Sequence, residues 1–141
     1  MRFLLALAMI MSVSTASAET YEVRMLSRGA SGPMVYEPAM LALAPGDSVR
    51  FIAAQRGHNA ASIPEMLPAG AKPFIGKIDE EITIRLDAPG IYGIKCSPHY
   101  AMGMVMLITV GDVEARAQDI PQDLPRRART RFEAILATSG K

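Results

Sequence analysis

From Tyr21 onward the chain is written in short segments whose apolar positions recur every second residue. Tyr21 to Leu26 alternates loosely and predicts a first strand, and Gly29 to Pro33 punctuates a loop. Ala39 to Ala44 predicts a short strand, Pro45-Gly46-Asp47 a turn, and Ser48 to Ala53 a strand with Val49, Phe51 and Ala53 on one face. Ile63 to Gly70 carries two prolines and a glycine, which suits a turn or one short helical turn around Glu65-Met66-Leu67, whereas Phe74 to Lys77 fits a strand or a loop equally. Glu81 to Leu86 alternates cleanly, Ile82, Ile84 and Leu86 facing one way and Glu81, Thr83 and Arg85 the other. After the turn Asp87-Ala88-Pro89-Gly90, Ile91 to Cys96 and Met104 to Val110 complete the strands. A strand with one apolar face needs a second sheet to cover it, so strand, tight turn and strand in succession predict an all-β sandwich.

Beyond Gly111 the period changes. Asp112 is placed to cap a helix over Val113 to Gln118, and a second stretch around Pro125 sets Leu124, Ala128, Phe132, Ile135 and Leu136 near one helical face. Arg126, Arg127, Arg129 and Arg131 lie largely off that stripe and are read as solvated. The architecture expected is therefore strands to about residue 111, closed by two C-terminal α-helices over residues 112–138.

The N-terminus has a different character. Met1-Arg2, an apolar run from Phe3 to Val13 and the small residues Ser14 to Ala18 make a secretory signal peptide over residues 1–18, with cleavage after Ala18 leaving one domain over residues 19–141. The apolar run is too short to span a bilayer comfortably, so the mature chain is expected to be soluble. Of 15 Lys plus Arg, Arg2 leaves with the signal, and the rest balance the 14 Asp plus Glu. A formally neutral mature chain, together with export, weighs against reading the tail arginines as a nucleic-acid site. Any electrostatic steering must come from the placement of charge.

Export also sharpens the meaning of the single cysteine. Cys96 has no partner for an internal disulfide, and a free thiol is a liability in an oxidising compartment such as a bacterial periplasm. A thiolate tied to a metal removes that liability. The run Cys96-Ser97-Pro98-His99-Tyr100-Ala101-Met102-Gly103-Met104 places an imidazole three residues after the cysteine and a thioether five residues later, and the only other histidine, His58, lies in Gly57-His58-Asn59 directly after a strand. Alone, each residue reads more simply as core or surface; together they supply two imidazoles, a thiolate and a thioether, the donors of a mononuclear copper centre with a weak axial sulfur. Zinc gains little from a thioether, so the methionine favours copper. Two methionines compete for that position, and Met104, at the mouth of the last strand, is better anchored than Met102 in the loop. Pro98 has no N–H to offer the nearby sulfur and stiffens the loop.

The Cys-x2-His-x4-Met loop with Gly-His-Asn upstream resembles the blue copper proteins, or cupredoxins. Gly32-Pro33-Met34-Val35-Tyr36-Glu37-Pro38 and the helical tail are similar to the pseudoazurin branch in particular, and the resemblance covers essentially the whole mature chain. It implies a Greek-key cupredoxin sandwich or barrel, one type 1 copper held by His58, Cys96, His99 and Met104, and one-electron transfer between Cu(II) and Cu(I). It implies that the backbone N–H of Asn59 reaches the thiolate while its side chain ties the two ligand loops together, and that Met34 modulates the site near His99. Tyr36 stands where phenylalanine is common in that branch, and arginines stand where lysines are common in its basic ring.

An apolar rim of Pro98, Ala101 and Met102 around His99 would make an electron port, and Arg28, Arg56, Lys72, Lys77 and Lys95 are candidates for a surrounding basic face that steers acidic redox partners. The resemblance implies nitrite reductase, nitrous oxide reductase and c-type cytochromes as transient partners of a periplasmic monomer. A four-ligand site leaves no open position for a substrate, and no nucleophile with its base, Gly-rich phosphate loop, internal repeat or CxxC is present, so an enzyme is not expected. The competing readings are a plastocyanin-like carrier of another pathway, a copper-delivery protein with a labile site, and a metal-free β-sandwich binding module.

Overall fold

The period-two segments become two facing sheets in the computed structural model, which describes residues 17–139. The signal-peptide reading falls almost wholly outside these residues. The strands are β1 (Thr20–Gly29), β2 (Gly32–Glu37), β3 (Met40–Leu43), β4 (Ser48–Ile52), β5 (Ala61–Ser62), β6 (Ile82–Arg85), β7 (Gly90–Lys95) and β8 (Val105–Val110). One sheet has the order β2-β1-β4-β6 and the other β3-β8-β7-β5. The pairs β1·β4 and β3·β8 are parallel and the rest antiparallel, so the chain crosses between sheets instead of running as a simple meander.

Between the sheets lie Val23, Met25, Tyr36, Val49, Phe51, Tyr92 and Ile94, in one buried cluster that also contains Cys96 and Met104. Strand β8 explains its own unbroken apolar run. Met106, Ile108 and Val110 point into this cluster, while Val105 and Leu107 belong to a second one with Ile63, Met66, Ile120, Leu124, Ala128, Phe132 and Ile135. Both faces of β8 are thus covered, one by the facing sheet and the other by the C-terminal helix α1 (Arg126–Ser139).

Three local expectations are corrected. Gly29 to Pro33 is not an open loop but the tip of a β1–β2 hairpin, with Arg28 paired to Pro33 and Gly29 to Gly32. Because β2 is an edge strand, the missing N–H of Pro33 costs the sheet little. The two-residue β5 was too short to leave a pattern. Of the two α-helices expected in the tail, only the second forms: residues 113–116 have no helix, and the first reduces to a 3-10 turn at Ala117–Asp119. Half-buried Val113 and Ala115 alternate with exposed Glu114 and Arg116, a period that suits extended chain. Asp119, not Asp112, caps the turn, accepting the N–H of Arg116 at 2.7 Å. The second helix buries Ala128, Phe132 and Ile135 as its stripe predicts.

Candidate metal centre

Strand pairing brings Cys96 and Met104 to the same end of the sandwich. The β7–β8 ladder ends at Lys95 opposite Val105, and one step further the N–H of Cys96 donates to the carbonyl of Met104 at 3.0 Å. The intervening Ser97–Met102 forms a 3-10 turn closed on itself: His99 N–H donates to the Cys96 carbonyl at 3.2 Å, and Met104 N–H to the His99 carbonyl at 3.1 Å. Gly103 ends the turn at φ 89°, and a Cβ there would come within 2.8 Å of the Arg127 carbonyl oxygen. Glycine is therefore required twice, by the left-handed backbone and by the close approach of α1.

His58 arrives from the loop after β4, and that loop is held on both sides. Gln55 Oε1 accepts the N–H groups of Ser27 at 2.6 Å and Arg28 at 3.2 Å, tying it to β1. Asp79 Oδ1 accepts the N–H of Gly57 at 2.6 Å, while Asp79 N–H donates to the His58 carbonyl at 2.8 Å. Asp79 does this from φ 63°, a region that costs most residues energy.

The ligating atoms of His58, Cys96 and His99 all lie within 4.8 Å of one another. Cys96 Sγ stands 3.7 Å from His58 Nδ1 and 3.5 Å from His99 Nδ1. His58 and Cys96 are buried, His99 is half-buried, and Met104 is fully buried beside them in sequence and in backbone pairing. Burial, reinforced by the neighbouring His99, lowers the pKa of His58, so its ring is neutral near pH 7 and has a lone pair to offer. Burial pushes the Cys96 thiol up, and the neighbouring backbone N–H groups of Asn59 and His99 partly offset that rise. A buried sulfur flanked by two imidazole nitrogens suits a thiolate whose proton has been displaced by a metal ion. Two nitrogens and one sulfur, with buried Met104 bonded through its backbone to Cys96 and His99, fit a borderline-soft ion such as copper.

Asn59 joins the two loops. Its Oδ1 accepts the N–H of Ser97 at 2.7 Å, its Nδ2 donates to Ser97 Oγ at 3.0 Å and to the Gly76 carbonyl at 2.8 Å, and its own carbonyl accepts the Tyr36 hydroxyl at 2.7 Å. Pro98 sits exposed within the 3-10 turn. Met34 is half-buried against the inter-sheet core, and its φ of 53° interrupts the β1–β2 ladder opposite Ser27. Ser27 was not foreseen: its Oγ lies 2.9 Å from Nε2 of His58. A serine in a strand carries no signal of such a contact, and neither does Asp79, which lies 21 positions beyond His58 in the sequence.

The candidate docking residues spread unevenly. Met102 is 44% exposed. Arg56 extends into solvent with Asp79 Oδ2 3.7 Å from its Nε, and Lys77 is exposed beside this loop. Lys95 holds its ammonium 4.9 Å from the Tyr100 ring centroid, and Arg28 is exposed near the Gln55 contact. Lys72 instead lines a cavity with Asp87 and Ala88, at the turn that begins β7, whereas Cys96 follows its other end.

A model of the copper binding proteins, plastocyanin/azurin family, matches residues 23–111. The chain is 41% identical over 133 residues to a pseudoazurin of Paracoccus pantotrophus, covering 94% of this chain and 92% of that one. It is 44% identical over 97 residues to a pseudoazurin of Methylorubrum extorquens, covering 69% and 66%. Among solved structures, the pseudoazurin of Methylobacterium extorquens AM1 superposes with a TM-score of 0.78 at 36% identity, covering 85% of this chain and 98% of that one. Native pseudoazurin from Hyphomicrobium denitrificans does so with 0.75 at 31%, covering 84% and 97%. By its donor cluster, its two sheets and these likenesses, the chain belongs to the pseudoazurins, within the plastocyanin/azurin family of copper binding proteins.

Proposed function

We propose that the chain is a periplasmic one-electron carrier, in which His58, Cys96, His99 and Met104 hold one type 1 copper ion. The observation that carries this reading is the convergence of the three imidazole and thiol donor atoms within 4.8 Å, at the end of the sandwich where Met104 is buried. When bound, copper supplies the Cu(II)/Cu(I) couple. The protein supplies a cradle that resists rearrangement: Cys96, His99 and Met104 are joined by mutual backbone hydrogen bonds, and His58 is fixed from outside by Ser27 and Asp79. Small rearrangement between oxidation states is what a fast electron carrier needs, because each redox step then costs little reorganisation of the ligands. Half-buried His99, with exposed Pro98, Ala101 and Met102 around it, is the port through which the electron leaves.

Four protein donors leave no coordination position for a substrate, so this reading is of a carrier and not an enzyme. The periplasmic location rests on the N-terminal signal pattern. Family likeness supports nitrite reductase, nitrous oxide reductase and c-type cytochromes as transient partners of a monomer, with Arg28, Arg56, Lys77 and Lys95 steering acidic surfaces and Lys72 contributing from further away. The test is a visible absorption and EPR spectrum of the Cu(II)-loaded mature chain beside Cys96→Ser. The expected result is an intense thiolate-to-copper band with small copper hyperfine splitting, abolished in the variant. Weak d–d absorption alone would overturn the reading.

A further inference from the structure

A cavity of about 360 Å³ opens on the flank of the sandwich, between strand β6 and residues 70–74 and beside the turn that begins β7. Much of its lining is apolar: buried Leu86 and Tyr92 with half-buried Phe74 and Ile84. Tyr92 commits its hydroxyl to the Ala88 carbonyl at 2.7 Å, so it offers the cavity a ring and not a free donor. Charge gathers at the rim, where Lys72, Arg85 and Asp87 stand exposed. Arg85 Nε donates to Asp87 Oδ1 at 2.8 Å, which balances one of the two cations. Among the described residues, no carboxylate forms an ion pair with Lys72.

Backbone donors face the same space. Strand β6 is the outermost strand of its sheet. Leu86 N–H donates to the Asp47 carbonyl at 2.9 Å, and the Leu86 carbonyl accepts the Gly46 N–H at 2.8 Å, so the polar groups of Leu86 are turned to the side of β4. Alternate residues of an antiparallel strand face the same neighbour. Thr83 and Arg85, at odd steps before Leu86, therefore turn their N–H groups to the free edge, along the cavity that both residues line.

We infer that this cavity binds a small apolar monocarboxylate, with its carboxylate on Lys72 and the N–H groups of Thr83 and Arg85 and its hydrocarbon end against Phe74 and Tyr92. The lining decides the chemistry. An inorganic anion would leave the aromatic wall facing a hydrated ion, and a neutral hydrocarbon would strip water from an ammonium and two N–H groups without replacing it. One anionic end and one apolar end satisfy both parts of the lining, and a concave, largely apolar space with few polar groups is the usual form of a small-ligand site. A single negative charge also matches the one cation that Asp87 leaves unbalanced. The inference is independent of the copper reading, because the cavity shares no residue with the cluster of His58, Cys96 and His99.

The probe is sodium benzoate titrated into the isotope-labelled, reduced, copper-loaded protein and followed by NMR, with sodium hexanoate as a second arm. The amide signals of Thr83 and Arg85 and the ring signals of Phe74 and Tyr92 shift together and saturate with a dissociation constant of about 1 mM or below. Tighter binding of benzoate identifies an aromatic ligand and tighter binding of hexanoate an alkyl one, and either result supports the inference. Lys72→Gln weakens binding about fivefold or more. Arg129→Gln, which removes a charge from α1 where the guanidinium donates to the Gln122 carbonyl at 2.8 Å, changes it less than about twofold. Lys72 is exposed, so its replacement leaves the fold intact, and the thermal unfolding of the variant checks that. A dissociation constant above about 1 mM overturns the inference. So does undiminished binding by Lys72→Gln, binding of benzamide as tight as that of benzoate, or displacement of benzoate by an equal concentration of inorganic phosphate.

Discussion

Ser27 Oγ stands 2.9 Å from Nε2 of His58, so the ring of the buried histidine is oriented from β1, the strand beside β4, whose following loop carries it. Nδ1 is turned toward Cys96, so a metal ion held there would leave the proton on Nε2, where Ser27 Oγ can accept it. A partner of this kind fixes both tautomer and ring angle, and losing it typically costs ten- to a hundredfold in metal affinity. Ser27→Ala is therefore predicted to lower copper affinity about tenfold or more, measured by competition with a chelator, while Ser27→Asn, which keeps an acceptor, retains most of it.

Asn59 is a second clamp, bonded at once to Ser97 and Gly76. Asn59→Ala leaves a backbone N–H and a backbone carbonyl without their partners in a part-buried region, at a cost of about 1–3 kcal/mol. Urea unfolding of the metal-free protein measures that loss. The copper-loaded variant should also show a shifted thiolate-to-copper band, since the two ligand loops are no longer joined by this side chain.

Tyr36 gives the protein an alkaline limit. Its hydroxyl is buried and donates to the Asn59 carbonyl, and burial, with a smaller contribution from Cys96, raises its pKa well above the ordinary tyrosine value. A raised folded-state pKa means that the unfolded chain loses its proton first. Tyrosine is neutral when protonated, so the stability from this group is intact below about pH 10 and falls as pH rises beyond it. Tyr36→Phe is predicted to flatten that fall in chemical denaturation between pH 9 and about 11, and to cost about 1–2 kcal/mol at pH 7 through the orphaned carbonyl.

The helix is predicted to matter for the site as well as for stability. Phe132 is fully buried against Val105 and Leu107 in the helix-side core. Phe132→Ala should destabilise the protein by about 3–5 kcal/mol. If α1 loosens in consequence, hydrogen exchange of the Gly103 and Met104 amides should accelerate, because α1 packs directly on Gly103.

Much of the molecule was legible in one dimension. Alternation in Ser48–Ala53 and Glu81–Leu86 is a local consequence of burying one face, and the strands there follow it. The stripe Leu124, Ala128, Phe132, Ile135 and Leu136 likewise follows from helical geometry. The candidate ligand loop stands out because a thiol, an imidazole and a thioether fall within nine residues, and His58 because it is the only other histidine. The sequence by itself thus determined the sandwich, one packed helix and the candidate donors His58, Cys96 and His99 that the fold brings together. Tertiary structure alone decided what surrounds them. Ser27 and Asp79 reach His58 across gaps of 31 and 21 positions, through side-chain and backbone contacts that leave no periodic trace. Pairing also decided that Gly32–Glu37 is a strand, since an edge tolerates Pro33, and packing decided that Val113–Arg116 stays extended. The arginines illustrate the division most plainly. Helical period places them off the apolar stripe, but only the docking of α1 on Gly103 sets them beside Met102, because that contact depends on two surfaces meeting and not on either one's pattern.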